Sequence, residues 1–205
     1  MNVFRGHTDY IRSIAARQQQ TTPDIWVTGA YDHSVRVWDV RTQENSGCVK
    51  VLTHGHPVES TVALANGNLI FSAGGNEVKV WDVRGGKILH TLCNHQKTVL
   101  ELCIDGAGTR ILSGGLDGHI KIVDLSTFRV THGLKCKEGV SAIALSPDNM
   151  QMGVGLINGS LSLRRRQLTA EGRKLPKSAL ARQQELFFGV QVCGGGWGGE
   201  GGEEG

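Results

Sequence analysis

A repeat of 42 to 43 residues constrains the fold of this chain more than any other feature of its sequence. The dipeptide Trp38-Asp39 recurs as Trp81-Asp82, and a weaker copy, Val123-Asp124, follows. These dipeptides close segments of alternating apolar residues, which read SVRVWD, EVKVWD and HIKIVD, and a fourth such segment reads SLSLRR. A Gly-His or Asn-His pair precedes the first three segments, at Gly6-His7, Gly55-His56 and Asn94-His95. This period with these two markers is typical of a β-propeller with four strands per blade.

Short apolar runs between the markers predict the individual strands. In the second repeat the runs are CVKVLTH, VESTVALA, LIFSAGG and EVKVWDV. Turn residues such as Asp117-Gly118 and Ser146-Pro147-Asp148-Asn149 separate the runs of the later repeats. No segment before residue 167 has a helical period. We therefore predict an all-β fold, a WD40 β-propeller with about four blades in residues 1–167.

The two ends of the chain depart from a complete propeller. Met1 stands just before a Gly-His pair with no earlier repeat, and residues 168–205 contain ten glycines and end in GGGWGGEGGEEG. We predict that residues 168–205 form a Gly-rich disordered tail. Since propellers of this type usually have seven blades, we expect a partial seven-bladed ring. A truncated gene model or a splice product would account for the missing blades. An open ring leaves blade faces unburied and favours aggregation or pairing with another chain.

The first repeat resembles a WD40 blade in four polar residues that form a structural tetrad. The resemblance implies that His7 bonds Asp32 and that Thr28 and Trp38 complete a hydrogen-bonded chain. Buried imidazole, hydroxyl and indole groups need such partners. A catalytic His–Asp pair is the alternative, but the sequence has no nucleophile at a strand-to-helix elbow. We therefore predict that these four residues are structural.

The later repeats keep this tetrad only in part. The residues predicted to belong to it in the second and third repeats are His56, Ser72, Trp81, His95, Ser113 and Asp117. In the second repeat Gly75-Asn76 replaces the Asp turn and is one residue short, and in the third repeat Val123 replaces Trp. The fourth repeat retains none of the four residues, so apolar packing has to hold that blade together.

Nothing in the sequence predicts a cofactor or a metal. His54 and His56 stand two apart, but no Cys or carboxylate follows at a zinc-ligand spacing. The glycine pairs after the strands lack the GK[ST] signature of a phosphate loop. The net charge of +3 is too small to indicate direct nucleic-acid binding. The run Arg164-Arg165-Arg166 is interpreted as a solvated edge or protein contact, with an RNA-phosphate contact and a nuclear-import element as alternatives.

The residues between the markers resemble one particular family. The segments HGHPVES, SAGGNEVKVWDV and NHQKTVLELCI depart from the general WD40 pattern. Over residues 4–167 the chain resembles the family of U3 small nucleolar RNA-associated protein fifteen, a WD40 component of the small-subunit processome. The resemblance implies a nuclear and nucleolar protein that supports 18S pre-rRNA processing and rRNA transcription without covalent chemistry.

The resemblance also implies the partners. These are other processome proteins, with the U3 snoRNA and pre-rRNA particle joined indirectly and with no small-molecule substrate and no membrane. A generic WD40 adaptor, such as a ubiquitin-ligase substrate receptor or a signalling scaffold, is the alternative function. An enzyme is the second alternative. The sequence argues against it, because it contains neither a nucleophile–base pair nor a nucleotide loop.

Overall fold

The chain folds into a row of small antiparallel sheets. The structure is a computed structural model that describes residues 3–16, 24–42, 47–65, 68–166 and 188–191. Within these ranges, sixteen strands form four sheets, each with four strands. In each sheet the strands neighbour one another in chain order, so each sheet is a meander made by one sequence repeat. We call the sheets blades 1 to 4 in chain order.

The four blades have nearly equal strand lengths. Blade 1 consists of β1 (Ile11–Ala16), β2 (Ile25–Ala30), β3 (Ser34–Asp39) and β4 (Cys48–Thr53). Blade 2 consists of β5 (Val58–Ala63), β6 (Leu69–Gly74), β7 (Glu77–Asp82) and β8 (Lys87–Leu92). Blade 3 consists of β9 (Val99–Ile104), β10 (Arg110–Gly115), β11 (His119–Asp124) and β12 (Arg129–Lys135). Blade 4 consists of β13 (Val140–Leu145), β14 (Gln151–Leu156), β15 (Leu161–Arg165) and β16 (Phe188–Gln191).

The blades are arranged as in a propeller, with the first strands at the centre. β1, β5, β9 and β13 pack against one another in sequence, and the second strand of each of the first three blades also contacts the first strand of the next. This confirms the predicted all-β fold of about four blades. The described residues contain no helix that is long and apolar enough to cross a membrane.

The core lies between the blades rather than within them. Alternation along a strand sends the second and fourth residues of β3, β7 and β11 to one face, which we call the forward face because it contacts the next blade. Val35 and Val37 pack there against Val58 and Ile70 of blade 2. The same arrangement repeats between blades 2 and 3 and between blades 3 and 4. The opposite face of each blade is called the rear face.

The outer strand of blade 4 differs from the expected disordered tail. Phe188–Gln191 pairs antiparallel with β15, with Arg165 opposite Phe188 and Ser162 opposite Gln191. An unpaired strand edge presents free N–H and C=O groups, and a four-residue extended segment satisfies them. These four residues thus form the outer strand of blade 4. The rest of the predicted tail, residues 168–187 and 192–205, lies outside the described residues, so the boundary at residue 167 stays a prediction.

Candidate functional site

The polar side chains of blade 1 form a continuous chain of hydrogen bonds. The indole Nε1–H of Trp38 donates to Thr28 Oγ1 at 2.8 Å. Thr28 Oγ1 lies 2.6 Å from His7 Nε2, and His7 Nδ1 lies 2.7 Å from Asp32 Oδ2. Because the carboxylate only accepts, Nδ1–H of His7 donates to it, and Nε2 accepts from the Thr28 hydroxyl. The structure thus brings the four tetrad residues of the first repeat together.

Asp32 also fixes the turn between β2 and β3. It accepts hydrogen bonds from the Thr8 and Ser34 backbone N–H groups and from the Ser34 hydroxyl. Burial would raise the pKa of Asp32, but the hydrogen bonds from Ser34, His7 and Thr8 stabilise the carboxylate and lower its pKa to about 2. The carboxylate is therefore ionised at neutral pH and engaged entirely within the blade.

Blade 2 uses a different histidine from the one predicted. His54, which is fully buried, lies with Nδ1 2.9 Å from Ser72 Oγ and with Nε2 3.3 Å from the Gly74 carbonyl oxygen. Trp81 Nε1–H donates to the same Ser72 hydroxyl at 2.8 Å. His56 is exposed, and its ring lies over Gly75. The assignment of His56 to the tetrad is therefore wrong, whereas Ser72 and Trp81 meet at the predicted place.

The shortened turn of blade 2 explains why His54 needs no carboxylate. β6 and β7 are joined by only Gly75 and Asn76, where the corresponding turn of blade 1 has three residues. Gly75 has a φ of 55°, which a tight two-residue turn requires and which glycine adopts without strain. The turn brings the Gly74 carbonyl to His54, and this carbonyl accepts the ring N–H in place of Asp. Burial lowers the pKa of His54 to about 4, so the ring is neutral at pH 7.

A spacing signal in the sequence identifies the correct histidine. His7, His54 and His95 each stand four residues before the first residue of the next inner strand, which is Ile11, Val58 or Val99 respectively. The Gly-His marker obscured this signal in the second repeat, because its histidine stands two residues too late.

Blade 3 contains an array that resembles a catalytic relay. Ser113 Oγ lies 2.8 Å from His95 Nε2, and His95 Nδ1 lies 3.1 Å from both carboxylate oxygens of Asp117. Ser, His and Asp in this order are also the residues of a hydrolase triad. The cavity next to Ser113, lined also by Val123, has a volume of only about 10 Å³. Such a cavity admits at most one water molecule, so this relay has no room for a substrate.

The electrostatics of blade 3 agree with a structural role. Burial lowers the pKa of His95, although Asp117 opposes that effect. Burial would raise the pKa of Asp117, but hydrogen bonds from Gln96 N–H, His95 and His119 N–H lower it. Asp117 is thus held as a carboxylate by the turn that it caps, as Asp32 is in blade 1.

Blade 4 replaces the tetrad with three other side chains. Buried Cys136 stands four residues before Val140, at the position of the histidines, and Arg164 Nη2 lies 3.8 Å from its Sγ. Arg164 pairs with Met152 in the sheet, which is the register position of Trp38 and Trp81 in their blades. Asn158 caps the β14–β15 turn by accepting from the N–H and hydroxyl of Ser160. The sequence interpretation missed Cys136 and Asn158 because it searched for the tetrad residue types.

Other polar groups join neighbouring inner strands. Ser13 Oγ of β1 lies 3.1 Å from Thr61 Oγ1 of β5, and Ser60 of β5 donates to Glu101 of β9 at 3.1 Å. Burial raises the pKa of Glu101. Across residues 3–16, 24–42, 47–65 and 68–166, no group of three or more His, Cys, Asp or Glu side chains could hold a metal ion.

Both end faces of the four-blade unit are uncovered. Ile11 and Ile14, on the inner strand of blade 1, are 55% and 62% exposed, whereas their counterparts in blade 2, Val58 and Thr61, are at most 3% exposed. On the forward face of blade 4, Leu161 and Leu163 are 54% and 47% exposed. Surfaces that are buried inside the unit are therefore open at its two ends.

The sequence matches the family described as "WD domain, G-beta repeat" (WD40) over residues 1–39, 46–82 and 86–124. Together these three segments contain the strands from β1 to β11, and the second and third segments each begin with the outer strand of the preceding blade. Blade 4 continues the same architecture beyond the matched residues.

Several curated proteins are similar to this chain over the blades. A Gallus gallus protein named "U3 small nucleolar RNA-associated protein 15 homolog" is 43% identical over 165 residues, which are 80% of this chain and 31% of that relative. A Xenopus tropicalis protein of the same name is 38% identical over 92% of this chain and 39% of the relative. "U3 small nucleolar RNA-associated protein 15" of Schizosaccharomyces pombe is 40% identical over 60% of this chain and 25% of the relative. The chain thus spans between a quarter and two fifths of the length of these relatives.

Proposed function

This chain belongs to the WD40-repeat family, and from that premise we propose that it is a non-enzymatic scaffold in ribosome biogenesis. In this role it is a component of the small-subunit processome that supports 18S pre-rRNA processing and rRNA transcription in the nucleus and nucleolus. Its partners are other processome proteins, through which it joins the U3 snoRNA and pre-rRNA particle indirectly. Neither a cofactor, a small-molecule substrate nor a membrane has a part in this function.

One observation carries the assignment to this process. Relatives named for association with U3 small nucleolar RNA are 38–43% identical to the chain over most of its blades. WD40 propellers serve many unrelated processes, so the fold alone supports only a general interaction role. The similarity to these named relatives is what favours ribosome biogenesis over a generic adaptor.

The site chemistry supports a scaffold rather than an enzyme. Each hydroxyl–imidazole pair of blades 1 to 3 is engaged inside its blade, with Asp32, the Gly74 carbonyl or Asp117 as the final acceptor. The groups that would do acid–base chemistry in an open cleft therefore hold strands and turns together. The surfaces left for function are blade faces, turns and edges, which suit protein partners.

Purification of the tagged chain from cells, with mass spectrometry and RNA sequencing, tests the proposal. We expect enrichment of U3 snoRNA and nucleolar assembly proteins over a tagged WD40 protein from another process, and a nucleolar signal by microscopy. Recovery of ubiquitin-ligase subunits or signalling proteins without U3 snoRNA would instead support the generic adaptor. A diffuse cytoplasmic signal, with no pre-rRNA defect on depletion of the protein, would contradict the assignment.

A further inference from the structure

An open cleft of about 260 Å³ lies between blades 3 and 4, at the end of the blades opposite the His–Asp turns. Its floor is apolar and belongs to the core between these blades, with Leu112, Ile122 and Leu134 from blade 3 and Leu145 from blade 4. A cleft with an apolar floor that stays open to solvent has the general character of a binding site.

The rim of this cleft carries positive charge. Arg110 of blade 3 and Arg166, which follows β15 in blade 4, both line it, together with His132. Burial, together with the charges of Arg110 and Arg166, lowers the pKa of His132. Neither guanidinium group makes an ion pair with a described carboxylate. No described carboxylate therefore competes with an incoming anion for the two arginines.

The carboxylate that lines the cleft does not neutralise the rim. Asp105 accepts hydrogen bonds from the Thr109 hydroxyl and from the backbone N–H groups of Thr109 and Arg110. These bonds hold it in its own loop between β9 and β10. Asp105 keeps its negative charge, but two guanidinium groups line the cleft against this one carboxylate, so the lining stays net positive.

The preceding interface indicates what fills a cleft of this kind. Between blades 2 and 3, Phe128 stacks on His90 with ring centroids 4.1 Å apart. His90 lies opposite Val80 in blade 2, as His132 lies opposite Ile122 in blade 3, so the two histidines are equivalent. No described aromatic ring stacks on His132. At the position of Arg110, blade 2 has Leu69. Within the described ranges, the cleft between blades 3 and 4 therefore differs from the preceding one in having no ring stacked on its histidine and in having two added charges.

We propose that this cleft binds an acidic peptide segment of a partner protein. An aromatic side chain of the peptide occupies the place over His132 that Phe128 occupies over His90, and flanking carboxylates pair with Arg110 and Arg166. Bidentate pairing of guanidinium with carboxylate adds geometric selectivity. An RNA strand fits less well, because base recognition needs polar partners and the floor is made of Leu and Ile. This site does not depend on the process in which the chain takes part.

Fluorescence anisotropy with labelled peptides and the full chain tests the proposal. The probe contains one phenylalanine between two pairs of aspartates, and its matched versions carry lysine for aspartate or serine for phenylalanine. We expect the aspartate–phenylalanine peptide to bind and both matched versions to lose most of that binding. Arg110→Gln with Arg166→Gln should weaken binding about tenfold or more, because each arginine contributes a charge-assisted hydrogen bond. Arg84→Gln with Lys87→Gln, on exposed positions of blade 2 outside the cleft, should leave binding unchanged.

Three outcomes would overturn the proposal. They are equal binding by the cleft variant, equal binding of the lysine peptide, and tighter binding of a short oligouridine through the same two arginines. The last outcome would make the cleft an RNA site. Circular dichroism verifies that the variants fold, and Arg110→Glu provides a second variant at an exposed position. That charge reversal should abolish binding of the acidic peptide without disturbing the core.

Discussion

At the scale of single residues, one hydroxyl group in each of the first three blades determines which hydrogen-bonding side chains must surround it. Thr28, Ser72 and Ser113 occupy the fourth position of β2, β6 and β10. Each places its oxygen next to a buried imidazole, and the first two also accept from an indole. A buried polar group without a hydrogen-bond partner destabilises the fold. Each hydroxyl therefore requires the imidazole beside it, and that imidazole requires an acceptor for its other ring nitrogen. The final acceptor is free to vary, as Asp32 and the Gly74 carbonyl demonstrate.

Removing the final acceptor of blade 1 should destabilise the chain. In Asp32→Ala the ring N–H of His7 and the donors of Thr8 and Ser34 lose their acceptor, which we expect to cost roughly 1–3 kcal/mol of unfolding free energy. Asn76→Ala, in the turn where blade 2 lacks the Asp, should cost clearly less. Denaturant melts of the two variants measure the difference. Equal costs would contradict a tetrad role for Asp32, and neither variant should alter any assayed reaction.

The pH dependence of stability should identify His54 as the buried histidine of blade 2. Its pKa falls from 6.5 to about 4 on folding, so the unfolded chain binds the proton more tightly. Stability from this group is therefore complete above pH 6.5 and is lost as the pH falls towards 4, by about 3 kcal/mol in total. His54→Gln should flatten the stability curve in this window, whereas exposed His56→Gln should leave its shape unchanged. An unchanged curve in His54→Gln, or a flattened one in His56→Gln, would return the tetrad role to His56.

These residues indicate how far the sequence could predict the tetrads. Asp32 and Asp117 could be found because each stands in a turn whose length matches the WD40 pattern. His54 was missed because a tetrad histidine is positioned by its distance to the next inner strand and not by the glycine before it. Cys136 and Asn158 were missed because the positions persist in blade 4 while the residue types change. Strand packing determines where the tetrad residues lie, and the marker residues indicate those positions only in part.

At the scale of strands, apolar alternation is more persistent than the polar tetrad. The segments SVRVWD, EVKVWD, HIKIVD and SLSLRR keep apolar residues at the second and fourth positions, although the last has no tetrad residue. These positions form the forward faces and therefore the core between blades. The strands and their order could be predicted from this pattern. β16 could not, because an outer edge strand requires no burial pattern and needs only an unpaired neighbour.

Deleting residues 168–205 tests the predicted boundary at residue 167. We expect the β-rich circular dichroism spectrum and the thermal midpoint to remain nearly unchanged, because the deletion removes only the outermost strand, β16, from the described sheets. Deletion of residues 192–205 alone, which keeps β16, is the matched control. A large loss of stability in the longer deletion but not in the control would mean that residues 168–191 belong to the folded unit.

At the scale of the whole molecule, the four blades form the same interface three times, between successive blades. The rear face of blade 1 and the forward face of blade 4 each present one half of that interface without the other. Val78 and Val80 on the forward face of blade 2 are at most 2% exposed, whereas Leu161 and Leu163 at the same positions of blade 4 are about half exposed. The rear face of blade 1 likewise exposes Ile11 and Ile14. Each uncovered face is shaped to receive the opposite face of a blade, since that is its partner at every internal interface. The four-blade unit should therefore associate with other blades.

Substitution of the two end faces tests this inference. The isolated chain should self-associate in sedimentation velocity and light scattering, because burial of exposed apolar surface contributes about 25 cal/mol per Å². Leu161→Ser with Leu163→Ser, or Ile11→Ser with Ile14→Ser, should reduce self-association while the circular dichroism spectrum is kept. The same change at Val78 and Val80 should unfold the chain, because it places two hydroxyls in the core between blades 2 and 3. Co-expression with the N-terminal blades of a longer relative should restore solubility by covering the open faces. A monomeric and well-behaved parent chain would mean that the four blades close on themselves.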